Sequence, residues 1–150
     1  MSEVQEKSAE FLTGLFSDMR FDLSVSAQKS EEGYLFDLKG DDVPLLLNES
    51  GEMLDALETI LFQIYGKEID RSERFICDAD GFRQTRRAEL QAMARFAANH
   101  VRKNGGPFTF GKLNGTERRV IHLTLQSEAD LITESVGEGR ERRLQVRIKN

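Results

Sequence analysis

Apolar residues follow two different periods along this chain, and the switches between them mark its elements. Val4, Phe11, Leu12, Leu15 and Phe16 recur at helical spacing among Glu3, Glu6, Lys7 and Glu10, which predicts an amphipathic helix over 3–19. Phe21, Leu23, Val25 and Ala27 then alternate with Asp22, Ser24, Ser26 and Gln28, the period of a half-buried strand. A turn at Glu31-Glu32-Gly33 brings back Tyr34, Phe36 and Leu38 as the partner strand of a hairpin. The apolar run Leu45-Leu46-Leu47 closes the unit. A second helix is expected from Glu52 to Tyr65, with Met53, Leu54, Leu57, Ile60, Leu61 and Ile64 as a broad apolar face and Gly66 at its end. Phe75-Ile76-Cys77 reads as a short strand.

A second unit opens at Asp80-Gly81. It begins with a long helix that carries Leu90, Met93, Ala94, Ala97 and Val101 on one side and arginines on the other, until Gly105-Gly106-Pro107 stops it. Phe108-Thr109-Phe110 is a candidate strand. Leu131 to Val136, the turn Gly137-Glu138-Gly139, and Leu144, Val146 and Ile148 give a C-terminal hairpin. On its last strand Arg143, Gln145, Arg147 and Lys149 share the solvated face, so a basic sheet face beside a basic helix is expected to form one patch.

The strongest chemical signal is Asn114-Gly115-Thr116-Glu117-Arg118-Arg119-Val120-Ile121-His122. Asn114 is a good helix N-cap and Glu117 stands three positions on, as a capping box requires. Arg118 and His122 then share one face, a turn apart, near the positive end of the helix dipole. A planar, permanently charged multi-donor beside a second ring donor suits an oxyanion such as phosphate. Taken alone, the spacing also fits a surface arginine next to a hydrogen-bonded histidine.

Charge distribution sharpens the picture. The formal net charge is −5, yet residues 1–70 hold 16 acidic and 5 basic side chains, a formal −11, against 10 and 16 in residues 71–150, a formal +6. The second half has the composition of a polyanion-binding module. The first half repels the same ligand, unless the two neutralise each other across an internal or dimer interface.

Several function classes drop out. No run approaches the roughly 18 apolar residues of a membrane span, and the N-terminus lacks a basic region leading into an apolar signal core, so no membrane insertion and a cytoplasmic location are expected. Cys77 is the only cysteine and His100 and His122 the only histidines, which argues against a disulfide or structural zinc site. No P-loop, nucleophile–base pair or metal constellation is present, so neither an enzyme nor a bound cofactor is expected. Asp78 and Asp80 read as helix-capping residues rather than a metal pair, Cys77 as core, Phe82 as a buried junction residue, and His100 as a dipole-compatible helix end without chemistry. Arg83, Arg86 and Arg87 fit phosphate contact and simple solvation of the long helix equally well.

Leu54-Asp55-Ala56-Leu57, Asp78-Ala79-Asp80-Gly81-Phe82-Arg83 and Gly106-Pro107 followed by Glu117-Arg118-Arg119-Val120-Ile121-His122 occur in an order that resembles the bacterial Jag, or SpoIIIJ-associated, family. That family joins a KH domain to a domain named for its Arg-x-x-x-His motif. The resemblance implies an α+β chain, with a KH-like unit of helices and a three-stranded sheet over 1–79 and an Arg-x-x-x-His domain of helices on a small sheet over 80–150. It also implies single-stranded nucleic-acid binding, chiefly of RNA, and a part in control of cell elongation.

The family motif maps onto Arg118 and His122, with Arg119, Arg83 and Arg86 extending the electrostatic track. The chain begins at the KH helix, so the small N-terminal domain usual in the family is expected to be missing. The Gly-x-x-Gly loop by which a KH domain clamps a nucleotide backbone reads here Asn48-Glu49-Ser50-Gly51. Glu49, with Asp41, Asp42, Glu52 and Asp55 nearby, opposes a phosphate. The KH-like half is therefore expected to be inactive toward RNA and to serve packing, homodimerisation or docking of a protein partner.

Overall fold

A computed structural model describes residues 1–150. The chain divides into two compact units, 1–83 and 84–150, and no helix is long and apolar enough to cross a membrane.

In the first unit, helix α1 (Glu3–Asp18) is capped by Ser2 and buries Val4, Leu12 and Phe16 along its inner stripe. Strands β1 (Ser24–Ser30) and β2 (Gly33–Lys39) form the expected antiparallel hairpin, and β3 (Arg74–Asp78) adds to β2 in parallel. Their core joins Phe36, Leu38, Phe75 and Cys77 to the two helices.

Two local expectations are corrected. β1 starts later than the alternation suggests, because residues 21–23 are held in a loop clasp: the Asp22 N–H donates to Asp42 Oδ2 and the Leu23 N–H to the Phe21 carbonyl. The Leu45-Leu46-Leu47 run is the start of helix α2 (Val43–Tyr65), not an isolated apolar segment. A break at Asn48–Gly51 then splits α2, with Glu49, Ser50 and Gly51 at φ 53°, 58° and 77°.

Beyond the break, Leu54, Leu57 and Leu61 face the core, whereas Met53, Ile60 and Ile64 are exposed. The apolar face was thus broader than the core it serves.

In the second unit, helix α3 (Phe82–Asn104) and helix α4 (Gly115–Leu125) lie on one face of an antiparallel sheet of order β4-β6-β5, made by β4 (Phe108–Thr109), β5 (Leu131–Val136) and β6 (Arg143–Ile148). Leu90, Ala94, Ala97 and Val101 of α3 and Ile121 and Leu125 of α4 pack on Leu131, Leu144 and Val146.

Register places Arg143, Gln145 and Arg147 on the face of β6 away from both helices, since their neighbours Leu144 and Val146 point into the core. Arg147 is paired with Glu134 across the strands. The sheet's basic residues therefore do not continue the helical patch, as the sequence had suggested.

Candidate nucleic-acid interface

Helix α4 begins as its sequence demands. The Asn114 side chain accepts the Glu117 N–H at 2.8 Å and the Glu117 carboxylate accepts the Asn114 N–H at 3.2 Å, closing the capping box. The next residue is Arg118, whose Nη1 donates to the Leu113 carbonyl at 2.7 Å, folding the guanidinium back over the helix start beside Gly115. Its remaining donors have no acidic partner.

One turn on, His122 is exposed and its Nδ1 meets Thr133 Oγ1 on β5. When the Thr133 hydroxyl donates to Nδ1, the outward Nε2 carries the proton and is a donor toward an anion. Arg119 is exposed on the neighbouring face. Two cationic or donor groups thus stand a turn apart, each steadied from behind by one hydrogen bond, an arrangement whose chemistry suits an oxyanion.

Arg83 and Arg86 are placed otherwise. The Arg83 side chain donates Nε to the Cys77 carbonyl at 2.8 Å and Nη2 to Asp55 and Glu58 at 2.9 and 2.7 Å. Glu58 also accepts the Cys77 N–H at 2.8 Å. Burial pushes the Glu58 carboxyl above its usual range, against the opposing pull of the Cys77 N–H and of Arg83. On Arg83, burial works against the charge but Glu58 and Asp55 outweigh it and raise the pKa.

The motif residues Asp55 and Arg83 thus bind each other and join α2, β3 and the start of α3. Arg86 donates Nε to Glu117 at 2.6 Å and Nη1 to Glu89 at 3.1 Å. Its pKa is raised by the same balance, burial opposing and Glu117 prevailing. Arg86 therefore supports the capping box through Glu117, with two of its three guanidinium nitrogens held by carboxylates.

The break in α2 has an equally local explanation. A Cβ on Gly51 would lie 2.5 Å from Cε1 of Phe82, so this glycine is required by the ring packed on it as well as by its positive φ. Phe82 packs on the first unit's core and is half-buried. Asp78 Oδ1 accepts the N–H groups of Ala79 and Arg83, consistent with capping of α3, and no group of three or more His, Cys, Asp or Glu is placed to hold a metal ion. Burial drives the Cys77 thiol well above its usual range.

Thr133 and Leu113, which orient His122 and Arg118, were not foreseen. Both are ordinary residues made relevant by tertiary placement.

Comparison with known proteins shows the family. A model of the R-three-H domain, the domain named for the Arg-x-x-x-His motif, matches residues 88–147. A protein of Clostridium symbiosum named RNA-binding protein KhpB is 30% identical over 148 residues, 97% of this chain and 67% of that protein. A protein of the same name from Bacillus subtilis (strain 168) is 28% identical over 127 residues, 83% of this chain and 61% of the relative. The chain spans about two thirds of these relatives' length. With the Arg118–His122 pair at the start of a capped helix and the match running through both units, the chain belongs to the Jag family, whose members include proteins named KhpB.

Proposed function

We propose that this chain binds single-stranded RNA through its phosphate backbone, with Arg118 and His122 holding one phosphate and Arg119 extending the contact. The observation that carries this reading is the pairing of two outward donors on α4, each fixed by an internal hydrogen bond and neither cancelled by a carboxylate. The relatives' name, RNA-binding protein, supports it. Single-stranded DNA offers the same phosphates and is expected to bind as well, since backbone contacts carry no base information.

The protein acts in the cytoplasm as a binding protein and not as an enzyme. The Asn48-Glu49-Ser50-Gly51 loop takes no part. Glu49 carries the wrong charge, and Gly51 answers to Phe82 rather than to a ligand.

Anisotropy of a labelled oligouridylate across a salt series tests this reading. The expected log–log slope is about −0.7 for each phosphate neutralised, with binding lost in Arg118→Ala/His122→Ala. A flat salt response, or an unchanged double variant, refutes it.

A second reading concerns the acidic first unit, whose Met53, Ile60 and Ile64 form an exposed apolar row on α2. That row fits a partner protein or a second copy and is compatible with RNA binding elsewhere.

A further inference from the structure

The second unit carries an aromatic cluster that plays no part in the phosphate site. Phe96 on α3 is 61% exposed, an unusual position for a phenyl ring, and His100 stands one turn further along the same face. Phe108 on β4 meets both edge-on, its centroid 5.9 Å from Phe96 and 5.4 Å from His100. Behind it the buried Phe110 supports Phe108 in a further edge contact at 5.1 Å. The cluster is therefore rigid at its base and open at Phe96.

Its surroundings identify the occupant. From Leu90 to Thr116 there is not one acidic residue, in a chain with 26 Asp and Glu among 150 residues, while Arg95, Lys103 and Lys112 lie there without an acidic partner. Lys103 follows His100 on the same helical face. A second copy docking platform to platform would bring like charge to like charge. A phosphodiester strand presents flat bases to the rings and phosphates to the cations.

We infer that Phe96, His100 and Phe108 form a stacking platform for a base of single-stranded RNA, separate from the Arg118–His122 phosphate site. The platform lies at the β4 edge of the sheet, whereas His122 is held at the β5 edge, so β6 lies between them. The inference rests on the proposed RNA binding and adds base contact to it. Stacking on an open ring is tolerant of base identity, so the platform raises affinity without selecting a sequence.

The chain has no tryptophan, so Phe96→Trp provides a single reporter at the platform. Its emission should be quenched by oligouridylate and unchanged by an abasic phosphodiester of the same length. Phe96→Ala should weaken oligouridylate binding about 5- to 100-fold, with abasic binding unchanged, and Phe96→Leu should behave like Phe96→Ala because it keeps the apolar bulk without the ring.

Loss of abasic and oligouridylate binding alike, or wild-type affinity in both Phe96→Ala and Phe96→Leu, overturns the platform. So does a wild-type dimer that Phe96→Ala dissociates, which would assign the cluster to self-association. Salt-dependent binding lost in Arg118→Ala/His122→Ala but indifferent to Phe96 would leave the phosphate site standing and sink the platform alone. Absence of any wild-type binding would sink both.

Discussion

Replacing Arg86 with alanine separates two roles that its charge alone confuses. Arg86 donates to Glu117 at 2.6 Å, and the Glu117 side chain is only 7% exposed. In Arg86→Ala that carboxylate keeps its bond from the Asn114 N–H but loses its only cation, leaving a nearly buried charge uncompensated.

Breaking a fully buried pair costs about 3–5 kcal/mol. Arg86 retains 23% of its side-chain exposure and water can enter the space it leaves, so about 2–3 kcal/mol is the better figure here. For a unit of this size that corresponds to a fall of about 10–20 °C in its melting temperature. The double variant Arg86→Ala/Glu117→Gln should recover much of it, because the orphaned charge is gone and the amide can still serve the capping box.

Thermal melts by circular dichroism measure the effect, and RNA binding below the transition should keep its wild-type salt slope. A melting temperature within about 2 °C of wild type, together with a slope reduced by about 0.7, would show that Arg86 is a phosphate ligand and not a support of the capping box.

Four further outcomes are expected. Gly51→Ala should destabilise the first unit by about 2–4 kcal/mol, combining a left-handed backbone with the Phe82 ring, and urea unfolding measures it; a cost under about 0.5 kcal/mol would mean the break in α2 repacks freely. Thr133→Val should weaken oligouridylate binding about 2- to 10-fold at an unchanged salt slope, as loss of one hydrogen bond that orients His122, and an affinity equal to wild type would show that the ring needs no anchor. Cys77 should resist thiol reagents in the folded protein and react at the rate of unfolding; prompt labelling under native conditions would contradict its burial. Glu58 sets a pH dependence of its own: its folded-state pKa is raised, so its stabilising contribution is full below the ordinary carboxylate range and is lost as pH rises through the folded value. Unfolding free energies of Glu58→Gln and wild type, compared from acid to neutral pH, should therefore move in the variant's favour as pH rises, and movement the other way would show that Arg83 outweighs burial.

What the sequence disclosed was whatever depends on near neighbours. The capping box at Asn114 and Glu117, the Arg118–His122 spacing and the hairpin turn at Glu31–Gly33 all lie within a few residues, and all appear as read. The helical start at Val43 escaped notice because Pro44 and three leucines carry no periodicity on so short a run, and the left-handed Glu49 and Ser50 that end it are residues seldom found there. Phe21 and Leu23 obeyed a strand's alternation, but the Asp22–Asp42 hydrogen bond, which no local pattern announces, drew them into a loop.

The arginines show the same limit at the level of function. A count of positive charge treats Arg83, Arg86, Arg102 and Arg147 as equal to Arg118, yet each of the four is claimed by carboxylates distant in sequence: Asp55 and Glu58, Glu117, Glu128 and Asp130, and Glu134. Arg118 spends one donor on the Leu113 carbonyl, a neutral acceptor that orients the guanidinium without cancelling its charge. A cation becomes a ligand site when its partner fixes its direction and leaves its field intact. By that criterion Arg118 and Arg142, whose Nη1 donates to the Gly137 carbonyl, stand apart from the paired arginines. Of the two only Arg118 has a histidine one turn further along its helix, which is why the proposed phosphate contact is placed on α4.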